Sequence, residues 1–382
     1  MAEEKQLYDG TDENFTEGER RTGIPEKKKL KQYAFSILFM AALIAITLYV
    51  IFRDNSADEI LGTLRSVDLR WVLLGFVAMF ACRICQGLAI GISARCIGTK
   101  LTFWEMLQYA FVDVFYSGIT PSSTGGQPMQ FFYMCRDRMS ISGTTLVLFT
   151  TNIAFQISLV VVALAMLIYK WSYIAATAGG VFALFAVGFL MHFGMLLLLA
   201  AVLFSENALH RLINGVVSLL ARLRIIKNTE KVDKSVARYI SEVKRGVELV
   251  RNNPRRFAAI LLVTLVQVLS YHVVPYFVYR SFGLNSEFSF LDIVAISAVL
   301  FVSVSFMPLP GTVGAAERGF VVLFGAVYPG HVLAATLLSR FINFYMMLVL
   351  AGAVSIYIQL RKPHNIGARP ALTAREKRAS PR

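Results

Sequence analysis

The sequence predicts an all-α polytopic membrane protein of about six full spans plus two broken re-entrant hairpins, arranged as an inverted repeat. Three observations lead there. Hydrophobic residues make up 56% of the 382 positions and charged residues only 16%, against roughly 45–50% and about 25% in soluble chains. Uncharged apolar stretches near 20 residues recur, long enough at about 1.5 Å rise per residue to cross roughly 30 Å of hydrocarbon. Two of the apolar segments are interrupted midway by proline and glycine. The 38 Lys and Arg against 24 Asp and Glu leave a formal net charge of +14. That excess falls beside span ends, where orientation and anionic inner-leaflet lipid account for it without a nucleic-acid partner.

Residues 1–32 read as a polar cytoplasmic tail, closing on Lys27, Lys28, Lys29 and Lys31 and too long a lead for a cleavable signal peptide. Residues 33–52 carry no charge and form the first span. The loop 53–70 holds Asp54, Asp58, Glu59 and Asp68, as an outside loop does, and residues 71–97 return inward. The anchor for orientation is residues 206–256, with 12 Lys or Arg against 5 acids, which places a helical insert over 205–256 in the cytoplasm. Its apolar positions Leu209, Leu212, Ile213, Val216, Leu219, Leu220 and Leu223 recur at helical spacing, as in an amphipathic helix lying on the leaflet.

Counting back from that anchor, residues 180–204 run inward and 144–169 outward, so 101–139 must begin and end inside. Its middle reads GITPSSTGGQP over 118–128, which no continuous helix tolerates. Counting forward, 257–279 run outward and 331–358 run inward to a basic cytoplasmic tail, 359–382. Residues 286–330 then begin and end outside, broken by MPLPGTVG at 307–314. The halves 33–169 and 180–358 therefore have opposite topology, and interrupted helices at matching places in two such halves point to a transporter's binding site.

Both breaks contain Pro-x-x-x-Gly, Pro121 with Gly125 and Pro310 with Gly314. A helix restarting after Gly126, with Pro128 in its first turn, and another restarting at Thr312 would each aim free N–H groups and a positive dipole end at the break, a seat for phosphate or carboxylate. Thr124-x-x-Gln127 has the form of a capping box. Charged side chains at membrane depth are costly and usually face a cavity or a partner; here they are Arg83, Asp113, Glu317, Arg318 and Arg340. Arg83 and Arg318 suit an anionic head group, and Glu317 suits either a partner Arg or a cationic head group. The substrate-binding set predicted from sequence is Arg83, Thr124, Gly125, Gly126, Gln127, Gln130, Pro310, Gly311, Thr312, Gly314, Glu317, Arg318 and Arg340. Ser117, Thr120, Ser122, Ser123, Asn152 and Gln156 add a polar lining, whereas His192, His272 and Asn343 fall to helix packing. The four cysteines, Cys82, Cys85, Cys96 and Cys135, sit in or beside apolar segments and read as buried thiols. Cys82-x-x-Cys85 lacks a second ligand pair for zinc. No Walker loop, HExxH or GxSxG occurs, and neither a catalytic residue, a metal nor a cofactor is expected.

The stretches TPSSTGGQPMQFFYM (120–134) and PLPGTVGAAERGF (308–320) resemble the signature breaks of the lysylphosphatidylglycerol synthase transmembrane family, also called flippase-like proteins. The resemblance covers about residues 33–358. It implies movement of an aminoacylated or otherwise modified phospholipid, such as lysylphosphatidylglycerol, between the leaflets of a bacterial cell membrane, and with it lipid metabolism and antimicrobial peptide resistance. Two-domain members also make that lipid, in a cytosolic domain that uses charged tRNA. Here only a short tail follows residue 358 and the central insert is too small for such a domain. The resemblance therefore implies a translocase that engages membrane phospholipid, with a separate soluble lipid-modifying synthase as an additional partner. Lysyl transfer from lysyl-tRNA to phosphatidylglycerol is the first alternative, and a small-solute or ion carrier the second.

Overall fold

Helices of membrane length account for most of the predicted spans. The structure, a computed structural model, describes residues 38, 45, 62–177, 179, 181–204, 251–285, 287–364 and 366. The chain falls into two units, Met1–Ala45 and Ile46–Arg382. Of the first only Leu38 and Ala45 are described, both helical. Most of the predicted first span, of the cytoplasmic insert and of the basic tail lies outside the described residues.

Among the described residues every regular element is helical. Helix α1, Leu69–Cys96, has 28 residues and starts where the Asp68 carboxylate accepts from Arg70 N at 2.9 Å. Helix α2, Phe103–Ile119, opens with a capping box formed by Thr102 and Glu105. After a break, α3 runs Gly126–Arg136 and the 29-residue α4 runs Ile141–Tyr169. A short α5, Trp171–Thr177, leads to α6, Val181–Phe204.

The second half repeats the plan. Helices α7, Pro254–His272, and α8, Val274–Ser281, form one apolar stretch of 28 residues, bent at Val273 because Pro275 removes an intrahelical donor. Helix α9, Phe290–Val304, opens with a Ser289–Asp292 capping box. Beyond the second break come α10, Ala315–Phe324, and α11, Val332–Arg340, which passes through a π-helical turn, Phe341–Tyr345, into α12, Met346–Leu360. The stretch 332–360 is 29 residues long, the length of α4.

The backbones of the two breaks follow the same plan. Pro121 and Pro310 each start a single 3-10 turn, closed by Thr124 N on Pro121 O at 3.2 Å and by Val313 N on Pro310 O at 3.3 Å. In each the two residues after proline are left-handed, Ser122 and Ser123 at φ 51° and 55°, Gly311 and Thr312 at 58° and 54°. In each the glycine of Pro-x-x-x-Gly then becomes the N-cap of the second leg. The second leg after Pro310 thus starts at Ala315 rather than at Thr312, whose positive φ places it in the turn.

Contacts sort the helix ends into two groups. At one, Arg256 donates to Arg95 O at 2.9 Å, Arg361 pairs with Asp137 at 2.6 Å and His364 meets Glu105 at 2.9 Å. At the other, Asp68 N donates to Ser281 O at 2.9 Å, Lys170 pairs with Asp292 at 2.6 Å and the Tyr173 hydroxyl donates to Leu323 O at 3.0 Å. The α2–α3 hairpin opens at the first end and the α9–α10 hairpin at the second, so they enter from opposite sides. Their tips meet between, where the Ser122 hydroxyl donates to Met307 O at 3.4 Å. Helix α1 lies close on α2 because a Cβ at Gly87 or Gly91 would press on Met106; these glycines form a G-x-x-x-G step of the kind that lets membrane helices approach.

Candidate functional site

Where the two tips meet, the helices leave a cavity of about 780 Å³. Its wall is drawn from the middles of α1, α2, α4, α7 and α9, from both breaks and from the α11–π-helix junction. Polar side chains on it include Arg83, Gln86, Asp113, Ser117, Gln127, Gln130, Asn152, Gln156, Gln267, Ser339, Arg340 and Asn343, amid Met79, Phe155, Phe301 and Phe344. Asp113 lies about ten residues into α2, or about 15 Å from that helix's start.

On the first side of the cavity a relay joins α1 to α2. Arg83 donates from Nη1 to Gln86 Oε1 at 2.8 Å, and Gln86 Nε2 donates to Asp113 Oδ2 at 2.7 Å. The Ser117 hydroxyl reaches Asp113 Oδ1 at 3.4 Å. Gly126, first residue of α3, packs on this carboxylate, since a Cβ there would overlap Asp113 Oδ1 and Ser117 Oγ. The glycine is what permits the two legs of the hairpin to close.

On the second side Arg340 Nε donates to Glu317 Oε1 at 2.7 Å and Nη2 donates to Gly311 O at 2.8 Å. Its guanidinium lies over the Phe344 ring, 4.4 Å from the centroid. Glu317 Oε2 accepts from Gly314 N at 2.6 Å, so one carboxylate caps α10 and neutralises the arginine. The π-helical turn directly after Arg340 sets Asn343 and Phe344 on the cavity wall, in keeping with the occurrence of such turns at functional sites.

Three buried polar atoms on this wall have no hydrogen-bond partner among the described residues: Arg83 Nε, Ser339 Oγ and Asn343 Oδ1. Buried polar groups are nearly always satisfied by protein, water or ligand.

Of the sequence-predicted set, the structure brings Arg83, Thr124, Gln127, Gln130, Gly311, Thr312 and Arg340 to the cavity. Gly125, Gly126, Pro310, Gly314 and Glu317 shape or brace its wall without lining it. Arg318 is a correction: it is exposed and absent from the wall, because the turn of α10 that buries Glu317 toward Arg340 points the next residue away. The seat of two free helix ends is corrected as well. Glu317 already occupies the start of α10, and Asp113 lies against the start of α3. The expected capping box at Thr124 does not form either, as its hydroxyl donates to Pro121 O at 3.0 Å and Gly125 is an N-cap with no side-chain bond.

Gln86, Gln267 and Ser339 escaped the sequence reading. Gln86 carried a signal, standing one helical turn after Arg83 on the same face; the other two carried none. His192 joins three helices as expected of a packing residue, meeting Gln156 at 2.9 Å and Ser305 at 2.7 Å. His272 meets Ser297 at 3.1 Å and also lines the cavity. All four cysteines are free.

The family model described as the lysylphosphatidylglycerol synthase TM region matches residues 34–351. The chain belongs to that family. The matched range contains both breaks and every residue on the cavity wall. A UPF0104 membrane protein of Archaeoglobus fulgidus is 24% identical over 334 residues, 84% of this chain and 95% of that relative. Together with the four apolar helices of 28 or 29 residues, this family membership makes the chain a multi-pass membrane protein.

Proposed function

We propose that the protein is a phospholipid translocase, in which a lipid head group crosses through the cavity between the two breaks while its acyl chains stay in hydrocarbon. The cargo in this reading is an aminoacylated phospholipid such as lysylphosphatidylglycerol. The observation that carries it is the guanidinium of Arg83, with an unpartnered buried Nε, in a cavity framed by two inverted breaks. Guanidinium matches phosphate geometry, and Asn343 Oδ1 and Ser339 Oγ can accept from the ammonium or hydroxyl groups of a head group. Inverted halves rocking about a mid-depth site is the way such repeats expose one site to two sides.

The end of the bundle bearing Arg95, Lys100, Arg136, Arg138, Arg255, Arg256 and Arg361 faces the cytoplasm of a bacterial cell in this proposal, by the excess of basic residues there. The test is leaflet exchange of acyl-chain-labelled lysylphosphatidylglycerol in vesicles, read by quenching the outer leaflet. Exchange faster than in protein-free vesicles, and slowed by Arg83→Ala, is the expected result; equal rates in all three would overturn the proposal.

The family's description favours a second reading, a membrane part of lysylphosphatidylglycerol synthesis that works with a separate soluble synthase. Protein supplied with lysyl-tRNA, phosphatidylglycerol and cytosolic extract would then form lysylated lipid beyond the extract alone.

A further inference from the structure

We infer that Asp113 is a proton-binding site that couples lipid movement to a proton gradient. This inference rests on the translocase reading and adds an energy source to it. Asp113 takes up one proton from one aqueous side as the phosphate of the head group settles on Arg83, and releases it to the other side when the head group leaves.

Asp113 differs from the other carboxylates on the described helices. Asp137 is paired with Arg361, Glu317 with Arg340, Asp292 with Lys170 and Glu105 with His364. Among the described residues Asp113 has no cation within ion-pair distance, and it is the one carboxylate on the cavity wall. A neutral amide, Gln86, stands between it and Arg83, holding both at 2.8 and 2.7 Å. The two charges balance each other without locking together, so Arg83 can exchange Asp113 for a ligand anion.

The charge count makes that exchange depend on a proton. Arg340 is neutralised by Glu317, which leaves Arg83 balanced by Asp113 alone. With Asp113 ionised the wall is neutral, and with Asp113 protonated the Arg83 side carries one positive charge and favours the head-group phosphate, while Ser339 and Asn343 beside Arg340 are left to the ammonium groups. Proton and anion binding therefore strengthen each other by the same factor. The titratable neighbours are few. Helix α1 brings Arg83 and Cys82, α7 brings Tyr271 and His272, and Arg340 stands on the opposite wall. On α2 itself the Tyr116 hydroxyl is engaged with Tyr133 at 3.4 Å. The breaks and the first turn of α3 bring no titratable side chain, and α12 reaches the wall only through Met347. The tight seat of Gly126 on this carboxylate gives the second leg of the hairpin a direct mechanical sense of its state.

The experiment uses full-length protein in vesicles carrying labelled lysylphosphatidylglycerol, with potassium and valinomycin clamping the potential. A difference of one pH unit biases a one-proton exchange by up to about tenfold. Wild type is expected to show that bias, reversing with the gradient. Asp113→Asn is expected to show none relative to its own rate without a gradient, and Asp113→Glu to restore it. A hydrophobic carbodiimide, which attacks protonated carboxyls, is expected to modify wild-type Asp113 in micelles, less as pH rises and more when the lipid is added. Exchange that ignores the gradient in wild type, or no modification of Asp113 at any pH, overturns the inference while leaving the translocase reading standing. Absence of exchange altogether overturns that reading and the coupling with it.

Discussion

Arg340 and Glu317 form an ion pair of 2.7 Å at the second break, with side chains only 9% and 3% exposed. The pair draws the start of α10 onto the π-helical turn after α11 and spends the negative charge of Glu317 inside the protein. Removing one member of such a pair leaves a buried charge uncompensated and costs about 3–5 kcal/mol. Glu317→Gln should therefore lower the thermal midpoint in detergent sharply, and adding Arg340→Gln should recover part of the loss. A double variant as unstable as the sum of the singles would show that the two side chains are not coupled.

Arg83 and Arg318 separate a cavity arginine from an outward one. Arg83→Ala should slow leaflet exchange of labelled lipid by tenfold or more, about 1.4 kcal/mol, while Arg318→Ala stays within twofold of wild type. The reverse order of effects would place the ligand outside the cavity.

Gly126 and Gly311 tolerate no methyl group for different reasons. Gly126 faces Asp113 and Ser117 across the hairpin, whereas Gly311 combines φ 58° with a Phe344 ring against its missing Cβ. Alanine at either site should cost about 1–3 kcal/mol by overpacking, with Gly311→Ala the worse because left-handed backbone adds about 1–2 kcal/mol. Thermal unfolding of both variants beside Gly98→Ala, where φ is 79° and no atom lies within 4 Å, separates strain from crowding.

Asp137 holds the end of the bundle where α3 and α12 finish. It accepts from Arg361 at 2.6 and 3.0 Å, from the Tyr109 hydroxyl at 2.9 Å and from His364 N at 2.9 Å. Arg361→Ala should destabilise by about 3–5 kcal/mol, and Asp137→Asn/Arg361→Ala by less. Equal stability of Arg361→Ala and wild type in detergent would mean that this contact is dispensable.

Lys100 and Glu287 mark the two ends. In a variant without the native cysteines, Lys100→Cys should react with a membrane-impermeant maleimide only after cells are opened, and Glu287→Cys in intact cells. Labelling of both from one side would contradict hairpins entering from opposite faces.

Much of this arrangement is legible in the sequence itself. The length and charge of apolar segments give spans because hydrocarbon thickness and the cost of burying charge leave few alternatives. Pro121 with Gly125 and Pro310 with Gly314 located both breaks, since proline lacks a donor and glycine alone enters left-handed turns without strain. The site was legible only in part. Arg83 and Arg340 stood out as charges in apolar context, but nothing local told Arg318 from Arg340, because which way a helical side chain faces depends on the neighbouring helix. Glu317 read equally as the partner of an arginine or of a cationic head group, and only the packing of the helices selects Arg340, 23 residues further along the chain.

Composition, segment length and the two proline–glycine interruptions by themselves determined that this chain crosses the membrane repeatedly as helices broken at two matching places. Each of these is a property of local sequence acting against a uniform apolar solvent. Only the tertiary structure decided that the interruptions meet, that Glu317 spends itself on Arg340, and that Gln86 stands between Arg83 and Asp113. Those outcomes depend on which helix faces lie together, and helices packed in lipid choose their faces by close fit and hydrogen bonding rather than by an apolar stripe a reader could find.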